Sequence, residues 1–506
     1  MSYAASEVLW GRNNLAVRRE DVPAISADRF QRTCIEVCTD GGRVTSLVAL
    51  PRASGEDGQE ILSVLADDSR GGLGLLRTRL LEDRYPALSA ELPQAQAFER
   101  ELYEEHGIRP EGHPWLKPLR RHFDLEPRTG EDEPGRGPYA FFRVEGPGIH
   151  EVAVGPVHAG IIEPGHFRFQ CHGETVLHLE IQLGYQHRGA EALLLRSSPA
   201  RRLVVAESIA GDTSIAHALS HCMALEALAK VEAPFSAQAL RGIALELERV
   251  SNHVGDLGAL CNDIGYLPGA SWFGRLRGEF SNLLLDLSGN RFGRGFLRLG
   301  GVRFGVTDAQ RKDFLARLSR VGRDLKDTAQ VTFNTPTVGS RFEQTGVLAR
   351  KAAEELGLVG PVARASGCDR DVRRDHPFGV FRFAHVPVAL VDSGDVMARA
   401  LVRWLEIQRS MTFLEEQIAE LPEDALGEGT PALLPDSLAV SLVEGWRGEI
   451  VHVAVTASDG QLAAYKIVDP SLHNWFGLAM AVRGNEISDF PLCNKSFNLS
   501  YAGHDL

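Results

Sequence analysis

The spacing of apolar residues predicts a long helical middle in this chain. Helical periodicity dominates from about residue 190 to residue 290. In the stretch GIALELERVSNHVGDLGALC, apolar residues recur every three or four positions and so share one helix face. They are Ile243, Leu247, Val250, Val254, Leu257 and Leu260. The opposite face carries Arg249, Asn252, His253 and Asp256, for which we predict a hydrogen-bond network between helices.

Alternation of apolar and polar residues predicts strands on both sides of this middle. Residues 139–185 contain the segments AFFRVEG, HEVAVGPVHAG and HFRFQCHGETVLHLEIQLGY. Near the C-terminus, GEIVHVAVTASDGQLAAYKIVD predicts a hairpin that turns at Ser458-Asp459-Gly460. We expect a short helix near residues 475–482 and an irregular tail after it.

The N-terminal part mixes short strands and helices. RTCIEVCTDGGRVTSLVALP alternates around Asp40-Gly41-Gly42, which predicts a hairpin, and PQAQAFERELYEEHGI predicts a helix that Gly107 ends. Residues 126–138 combine proline, glycine and charge, as a linker does. The predicted fold class is α+β: a small α+β domain (1–125), a linker (126–138), and a mainly helical body (139–506) flanked by N- and C-terminal β-hairpin regions.

Composition narrows the classes of function. A formal net charge of -13 argues against a nucleic-acid partner, which a basic face would recognise. No apolar run approaches the roughly 20 residues that cross a bilayer, and no signal peptide follows Met1, so we expect a cytoplasmic protein. The seven cysteines include no C-x2-C pair, and Cys34 and Cys38 fall in a predicted strand as buried thiols. We therefore expect no metal cluster in this chain.

Two sets of motifs carry a resemblance to known families. FERELYEEHGIRPEGHPWLKPLR resembles the signature of the 30-kDa subunit of respiratory complex I, which implies a docking domain without chemistry. Five further segments occur in order: GPVHAGIIEPGHFRF, GETVLHLEIQLGYQHRGAE, ELERVSNHVGDLGALCNDIGY, NRFGRGFLRLGGV and GPVARASGCDRDVRRDHPFG. Together they resemble the 49-kDa subunit of complex I, and still more the large subunit of membrane-bound, energy-converting nickel–iron hydrogenases. The region that resembles the 30-kDa subunit and the region that resembles the 49-kDa subunit are fused in one chain, as in the formate hydrogenlyase large subunit.

The resemblance implies where the nickel ligands would lie. The two cysteine pairs that bind nickel in the hydrogenases align with Ala210 and Thr213 in AESIAGDTSIAH and with Ser500 and Gly503 in KSFNLSYAGHDL. Nickel and iron must be bridged by soft, anionic sulfur, which none of these four residues supplies. We predict no metal ligand and no cofactor in this chain, with iron–sulfur clusters in partner subunits.

The quinone-binding residues of complex I are also replaced. The family places a tyrosine and a histidine at the quinone headgroup. The tyrosine position falls on Gly211, and the headgroup histidine falls on Ile162, although an earlier histidine of the same hairpin remains as His158. The phenol and imidazole that hydrogen-bond a quinone carbonyl are therefore missing.

Candidate proton-handling residues remain near these positions. Asp212 and His217 lie within about a turn of each other and form a candidate proton relay. His187, Arg188 and Glu191 in YQHRGAE are further candidates, because the matching hydrogenase glutamate lies on a proposed proton route. The alternative is that these polar groups only fill an emptied metal site.

A second group of candidates is assigned to the cavity wall or to a partner's cluster. Arg294 matches a position that relatives bring toward the nearest iron–sulfur cluster of the partner, where a cation favours the reduced cluster. His158, Arg364, Asp375 and His376 are candidates for the cavity wall. Ion pairing within a loop is the alternative for the last three.

The resemblance implies a function within a larger assembly. We expect the large-subunit component of a membrane-associated, complex-I-like oxidoreductase complex that couples electron transfer to ion translocation without a nickel–iron centre, and no hydrogenase activity of its own. One alternative is a cavity subunit that reduces a quinone or another acceptor. Another is a non-catalytic subunit with a structural or conformational coupling role.

Partner subunits follow from the same resemblance. We expect a small iron–sulfur subunit like the 20-kDa subunit of complex I, a ferredoxin-like cluster subunit, and membrane subunits like antiporters and the quinone channel. The chain would then lie on the inner face of the cell membrane through these partners. Its helical body should expose an apolar face to the small cluster subunit.

Overall fold

The computed structural model describes residues 7–51, 58–121, 139–158, 160, 162–422, 425–427, 429 and 432–506. Its helices are α1 (Ala27–Thr39), α2 (Gln96–His106), α3 (Ala190–Arg196), α4 (Pro199–Ala206), α5 (Ser214–Ala229), α6 (Phe235–Asp263), α7 (Leu267–Ser288), α8 (Asp308–Phe333), α9 (Pro336–Phe342), α10 (Arg350–Glu355), α11 (Gly360–Ala365), α12 (Val372–Asp375), α13 (Val396–Ala419), α14 (Pro470–Ala481), α15 (Phe490–Phe497) and α16 (Tyr501–Asp505). Its strands are β1 (Leu9–Gly11), β2 (Ala16–Arg18), β3 (Ala24–Ile25), β4 (Arg43–Leu50), β5 (Gln59–Asp67), β6 (Gly72–Leu80), β7 (Arg84–Pro86), β8 (Arg109–Glu111), β9 (Ile149–Val154), β10 (His166–His172), β11 (Thr175–Gln182), β12 (Leu297–Arg298), β13 (Gly301–Val302), β14 (Ser437–Gly445), β15 (Gly448–Thr456) and β16 (Leu462–Val468).

The N-terminal part is a sheet packed against two helices. Its strand order is β1-β6-β5-β4, with β3 pairing parallel to β6, and α1 and α2 contact this sheet. The predicted hairpin at Asp40-Gly41-Gly42 is wrong, because the segment before it is helix α1. Phe30, Cys34 and Val37 are buried along that helix. Their spacing of four and three fits a helix, and the alternation around Cys34 that suggested a strand was coincidental.

The helical body is built around α6, which packs against α7 and α13. The six apolar positions of the predicted stripe are all buried. Its polar face is paired across helices as predicted: His253 contacts Glu406 of α13 at 2.9 Å, and Asp256 contacts Arg403 of α13 at 2.8 Å. These bonds allow the helix to be buried on both faces.

The last sheet joins the two ends of the chain. Its strand order is β16-β15-β14-β2, so residues 16–18 pair with residues 437–439. Helix α5 packs against β14 and β15. The predicted hairpin at residues 458–460 is confirmed. The predicted linker 126–138 lies outside the described residues.

Two local predictions need correction. Strands β9, β10 and β11 form the expected antiparallel sheet, but residues 140–146 form no strand. The tail contains helices α15 and α16 instead of being irregular, and side chains cap the starts of α14 and α16. Asp469 accepts from Ser471 N at the start of α14, and Ser500 accepts from Gly503 N at the start of α16. Within the described part of the chain, no helix is both long and apolar enough to cross a membrane.

Buried ion pairs join the N-terminal sheet to the body. Arg43 of β4 binds Glu449 of β15 at 2.6 Å and Asp68 at 2.9 Å. His376 and Arg370 each approach the same Asp68 carboxylate at 2.9 Å. His376, predicted to line a cavity, is therefore a contact between these two parts of the molecule.

We expect Arg43→Met to destabilise the chain by about 3–5 kcal/mol, because it leaves the buried Glu449 without a counter-ion. Chemical denaturation of both proteins measures this difference. The matched control is Arg350→Met, whose ion pair with Glu354 is exposed and should contribute less than about 1 kcal/mol. Equal losses in the two variants would contradict the role of the Arg43 ion pair.

Candidate functional site

The first component of the site is an ion pair between Asp212 and Arg447. Arg447 Nη1 lies 2.6 Å from Asp212 Oδ1, and Nη2 lies 2.8 Å from Oδ2, a bidentate geometry. Arg447 Nη1 also donates to Thr213 Oγ1 at 3.1 Å. Burial disfavours ionisation of Asp212, but the charge and hydrogen bonds of Arg447 outweigh it and lower the Asp212 pKa. The Asp212 side chain is still 35% exposed, so the site is open on this side.

A tight turn holds Arg447 in place. Trp446 and Arg447 form the two-residue connection between β14 and β15. The guanidinium carbon lies 3.9 Å from the Trp446 ring centroid, and Nε donates to Asn498 O at 2.6 Å. The Trp446 indole N–H and the Asn252 amide both donate to Asp212 O. Four separate chain segments therefore fix this ion pair.

The second component is the carboxylate of Asp469, which lies between two helix starts. It accepts from Ser471 N at 2.8 Å and lies 3.0 Å from His217 Nε2. Burial disfavours its ionisation, but the hydrogen bond from His217, together with the charge of Arg447 and the hydrogen bond from Ser471, outweighs burial and lowers the Asp469 pKa. A Cβ atom added at Gly503 would lie 2.5 Å from Asp469 Oδ2. The carboxylate therefore occupies the space that a side chain at position 503 would need.

A line of buried polar side chains continues from His217. His217 Nδ1 lies 3.2 Å from His452 Nε2, and His452 Nδ1 lies 2.8 Å from the Tyr465 hydroxyl. The same hydroxyl lies 2.8 Å from His221 Nδ1. Burial lowers the pKa of His452 far below its ordinary value and lowers that of His221 to about 3. Both rings are therefore neutral at rest.

Arg188 and His187 hold two distant segments together. Arg188 Nη2 donates to Ile209 O at 2.8 Å and to Ala502 O at 3.0 Å. His187 Nδ1 lies 2.8 Å from Asp505 O. These two predicted site residues thus fix the C-terminal segment beside the Asp212 loop, and their side chains act here as positioning groups.

Glu191 is not part of the Asp212 cluster. Its carboxylate accepts from Lys466 Nζ at 2.9 Å and from Ile467 N at 2.8 Å. It lines a cavity of about 370 Å³ that His187 and Tyr465 also line. The predicted pairing of Asp212 with His217 is also wrong, because Asp212 binds Arg447 and the carboxylate that contacts His217 is Asp469.

Arg294 and His158 lie at the margins of the site. The exposed Arg294 donates from Nε to Ser214 Oγ at 3.2 Å, and its Nη2 lies 3.8 Å from where a Gly211 Cβ would be. His158 Nε2 lies 2.9 Å from Gly165 O within its own hairpin. Arg294 is therefore available to a partner, and His158 stabilises the hairpin.

Arg364 and Asp375 belong to ion-pair networks of the protein itself. The fully buried Arg364 binds Glu406 at 2.7 Å and Glu444 at 2.8 Å. Asp375 binds the neighbouring Arg374 at 2.6 Å. These contacts support the alternative interpretation, in which ion pairing accounts for the charges of this segment.

Three residues of the site escaped the sequence analysis: Arg447, Asp469 and Glu163. Glu163, next to the position of the headgroup histidine, lies near the backbone N–H groups of Tyr501 and Ala502, which act to lower its pKa. Burial raises the pKa of Glu163, and the nearby charge of Arg447 opposes that rise. Each of the three acts with residues far away in sequence, and although Glu163 lies within one of the family motifs, the motif does not reveal those distant contacts.

The donor set does not fit a nickel–iron centre. The four positions that the resemblance assigns to nickel ligands are Ala210, Thr213, Ser500 and Gly503. Thr213 Oγ1 receives hydrogen bonds from Trp446 and Arg447, and Ser500 Oγ caps a helix. The site thus offers hard oxygen atoms and a guanidinium cation where soft thiolates are needed. Among the described residues, no group of three or more histidine, cysteine or carboxylate side chains has a metal-binding arrangement.

Comparison with known proteins agrees with the resemblance. A family model described as "Respiratory-chain NADH dehydrogenase, 49 Kd subunit" matches residues 263–505. The carbon monoxide-induced hydrogenase of Rhodospirillum rubrum is 30% identical over 350 residues, which is 69% of this chain and 97% of that protein. Formate hydrogenlyase subunit 5 of Escherichia coli (strain K12) is 28% identical over 437 residues, which is 83% of this chain and 77% of that protein.

A solved structure shares the fold. A chain of the membrane-bound sulfane sulfur reductase, an archaeal respiratory membrane complex, has a TM-score of 0.66 and 24% sequence identity. The match covers 71% of this chain and 98% of that chain. Together with the family match, it confirms the predicted α+β fold class.

The buried histidines predict a loss of stability in acid. Burial lowers the pKa of His473 to about 4, whereas a free histidine titrates near 6.5. The unfolded chain therefore binds more protons below pH 6.5, and the contribution of His473 to stability falls as pH decreases through that range. Between about pH 7.5 and about pH 5 we expect each such histidine to lower the free energy of unfolding by about 2 kcal/mol.

Urea denaturation at the two pH values measures this loss. His473→Gln removes one titrating ring, so its stability should fall less between the two pH values than that of the unmodified chain. If both proteins lose the same free energy, His473 is not held neutral by the fold.

Proposed function

Because this chain belongs to the family that unites the 49-kDa subunit of respiratory complex I with the large subunits of membrane-bound hydrogenases, we propose that it is the large-subunit component of a membrane-associated oxidoreductase complex. The complex couples electron transfer to ion translocation. Relatives named as subunits of membrane-bound hydrogenase, NADH-quinone oxidoreductase and F(420)H(2) dehydrogenase support a place in a multisubunit assembly.

The proposed site works without a nickel–iron centre. The observation that carries this is the Arg447–Asp212 ion pair, which sets a buried cation against Thr213, one of the four ligand positions. The Thr213 oxygen accepts hydrogen bonds from both Arg447 and Trp446, so its lone pairs are not free to bind a metal ion. Asp469 supports the same conclusion, because its carboxylate fills the space beside Gly503.

Proton handling in this site rests on Asp469 and His217. Arg447 holds Asp212 ionised, so Asp212 acts as a fixed counter-ion and orients the guanidinium. Asp469 and His217 form a buried carboxylate–imidazole pair at 3.0 Å, the arrangement that holds or releases a proton in response to nearby charge. Reduction of a cluster in a partner subunit would supply that change of charge.

Two features of the surface of the helical body support the proposed partner subunits. Arg294 is exposed beside Gly211, where its cation stabilises a reduced iron–sulfur cluster in a small partner subunit. The exposed apolar side chains of Trp272 and Val331 line one groove between α7 and α8 and fit the apolar face expected for a partner. Membrane subunits then hold the chain at the membrane peripherally.

A second candidate function is reduction of an acceptor such as a modified quinone. Val157 and Ile162 are exposed apolar residues on the same hairpin as Glu163, and this surface suits an apolar ligand next to a carboxyl group. It differs from the quinone site of complex I, because the headgroup tyrosine and histidine are absent.

We expect Asp469→Asn to keep assembly of the complex and to lower turnover at least about 100-fold, because the amide retains the shape but does not titrate. The measurement uses membrane vesicles that hold the native complex, with oxidation of reduced methyl viologen and coupled ion uptake as readouts. Native gel electrophoresis checks assembly.

The matched control is Asp286→Asn, a surface carboxylate of α7 in an exposed ion pair, which should leave turnover unchanged. Full turnover in Asp469→Asn would remove proton handling from the site and favour the structural coupling role. Lost viologen oxidation in the control variant would show that the assay reports assembly alone.

A further inference from the structure

We propose that the line Asp469–His217–His452–Tyr465–His221 is a proton path that connects the site to the cavity lined by Glu191 and Tyr465. The inference rests on the proposed function, since it supposes that the site takes up protons. Four hydrogen bonds, at 3.0, 3.2, 2.8 and 2.8 Å, join the five side chains without a gap. Every one of these residues is at least nine-tenths buried.

Neighbouring elements place the five groups in one row. His217 and His221 lie one turn apart on α5, so their rings lie on the same helix face. His452 lies on β15 and Tyr465 on β16, the strands beside that face. Asp469 directly follows β16 and caps α14. The sheet thus connects two histidines of one helix that do not touch each other.

The hydrogen bonds fit one proton arrangement when Asp469 is ionised and the histidines are neutral. Nε2–H of His217 donates to Asp469, which leaves Nδ1 of His217 as an acceptor. Nε2–H of His452 then donates to it, and the hydroxyl of Tyr465 donates to Nδ1 of His452. The Tyr465 oxygen accepts from Nδ1–H of His221. Every donor therefore points toward Asp469.

A proton that arrives from the cavity at the Tyr465 oxygen can cross this row with every atom balanced. The arriving proton binds the Tyr465 oxygen, the Tyr465 hydroxyl proton moves to Nδ1 of His452, and Nε2–H of His452 moves to Nδ1 of His217. One proton has entered at Tyr465, and one charge has formed on His217, while His221 keeps its Nδ1–H and its hydrogen bond to the Tyr465 oxygen. The arrangement is reversed between Tyr465 and His217, and His217 is now an imidazolium beside the Asp469 carboxylate.

The charges around the row suit conduction in this direction. Burial disfavours a positive charge on His221 and His452, so the proton does not stop on either ring. Arg202 near His221 opposes a charge there as well, whereas Asp469 stabilises one on His217. The row therefore holds a proton at the end next to Arg447 and Asp212.

The row meets the cavity of about 370 Å³ at Tyr465, its fourth group. Tyr465 lines this cavity, together with Glu191, His187 and Lys466. Glu191 and Lys466 form an ion pair at 2.9 Å, and Glu191 lies near enough to act on the charge of Tyr465. The cavity is open to solvent and so supplies protons to the Tyr465 hydroxyl, which His221 holds in place from its other side.

The test uses Tyr465→Phe, which removes only the hydroxyl that joins His221 to His452. In the purified native complex, titanium(III) citrate reduces the clusters and a pH-indicator dye records the rate of proton uptake. We expect the rate to fall at least about tenfold, with a larger solvent deuterium isotope effect and an unchanged final number of protons. His452→Gln should act in the same way, because an amide cannot pass a proton between its two ends.

Matched controls are Tyr85→Phe and His473→Gln, buried residues of the same types outside the row, which should leave the rate unchanged. Uptake at the normal rate in Tyr465→Phe and in His452→Gln would overturn the proton path and leave the proposed function intact. If the unmodified complex takes up no protons on reduction, the proposed function and the path are both wrong. Slow uptake in Tyr465→Phe and in His452→Gln, with normal uptake in both controls, supports the path.

Discussion

The ion pair between Arg447 and Asp212 is the interaction on which the rest of the site depends. Moving a guanidinium group from water into the protein interior costs several kcal/mol of free energy unless a carboxylate and further hydrogen-bond acceptors surround it. Arg447 meets this demand with a bidentate carboxylate, the Asn498 carbonyl and the Trp446 ring. These partners come from separate parts of the chain, so the loop after α4, the β14–β15 turn and the segment after α15 must close on one another.

At the four positions that match the nickel ligands of the hydrogenases, this chain carries Ala210, Thr213, Ser500 and Gly503, none of which supplies a soft thiolate. Thiolates bind nickel by covalent overlap, whereas the groups here interact through charge and hydrogen bonds. Gly503 is part of this difference, since only a residue without a side chain leaves room for the Asp469 carboxylate. Asp469 in turn contacts His217. The glycine at position 503 therefore makes room for the carboxylate that connects the site to the buried histidines.

Sequence patterns predicted the secondary structure well in segments where only one periodicity of apolar residues, that of a helix or that of a strand, fits. The stripe on α6 has six apolar positions over about five turns and admits a single interpretation, whereas the eight residues around Cys34 satisfy both a strand and a helix period. The ligand positions were located by motif, but Arg447 and Asp469 were not. Arg447 is 235 residues from Asp212, and such a pair forms only through tertiary structure. For the same reason, Asp212 was predicted to pair with the nearby His217, although Arg447 binds it more strongly.

The central claim is that a charged, proton-handling site replaces the nickel–iron centre of the hydrogenases. Elemental analysis by mass spectrometry of the native complex, with the metal content referred to the amount of this chain, tests it most directly. The account predicts no stoichiometric nickel, with iron present only in the amount that the cluster-bearing partners require, because Ala210, Thr213, Ser500 and Gly503 supply no thiolate. About one nickel per chain, in a complex with no other nickel-binding subunit, would contradict it.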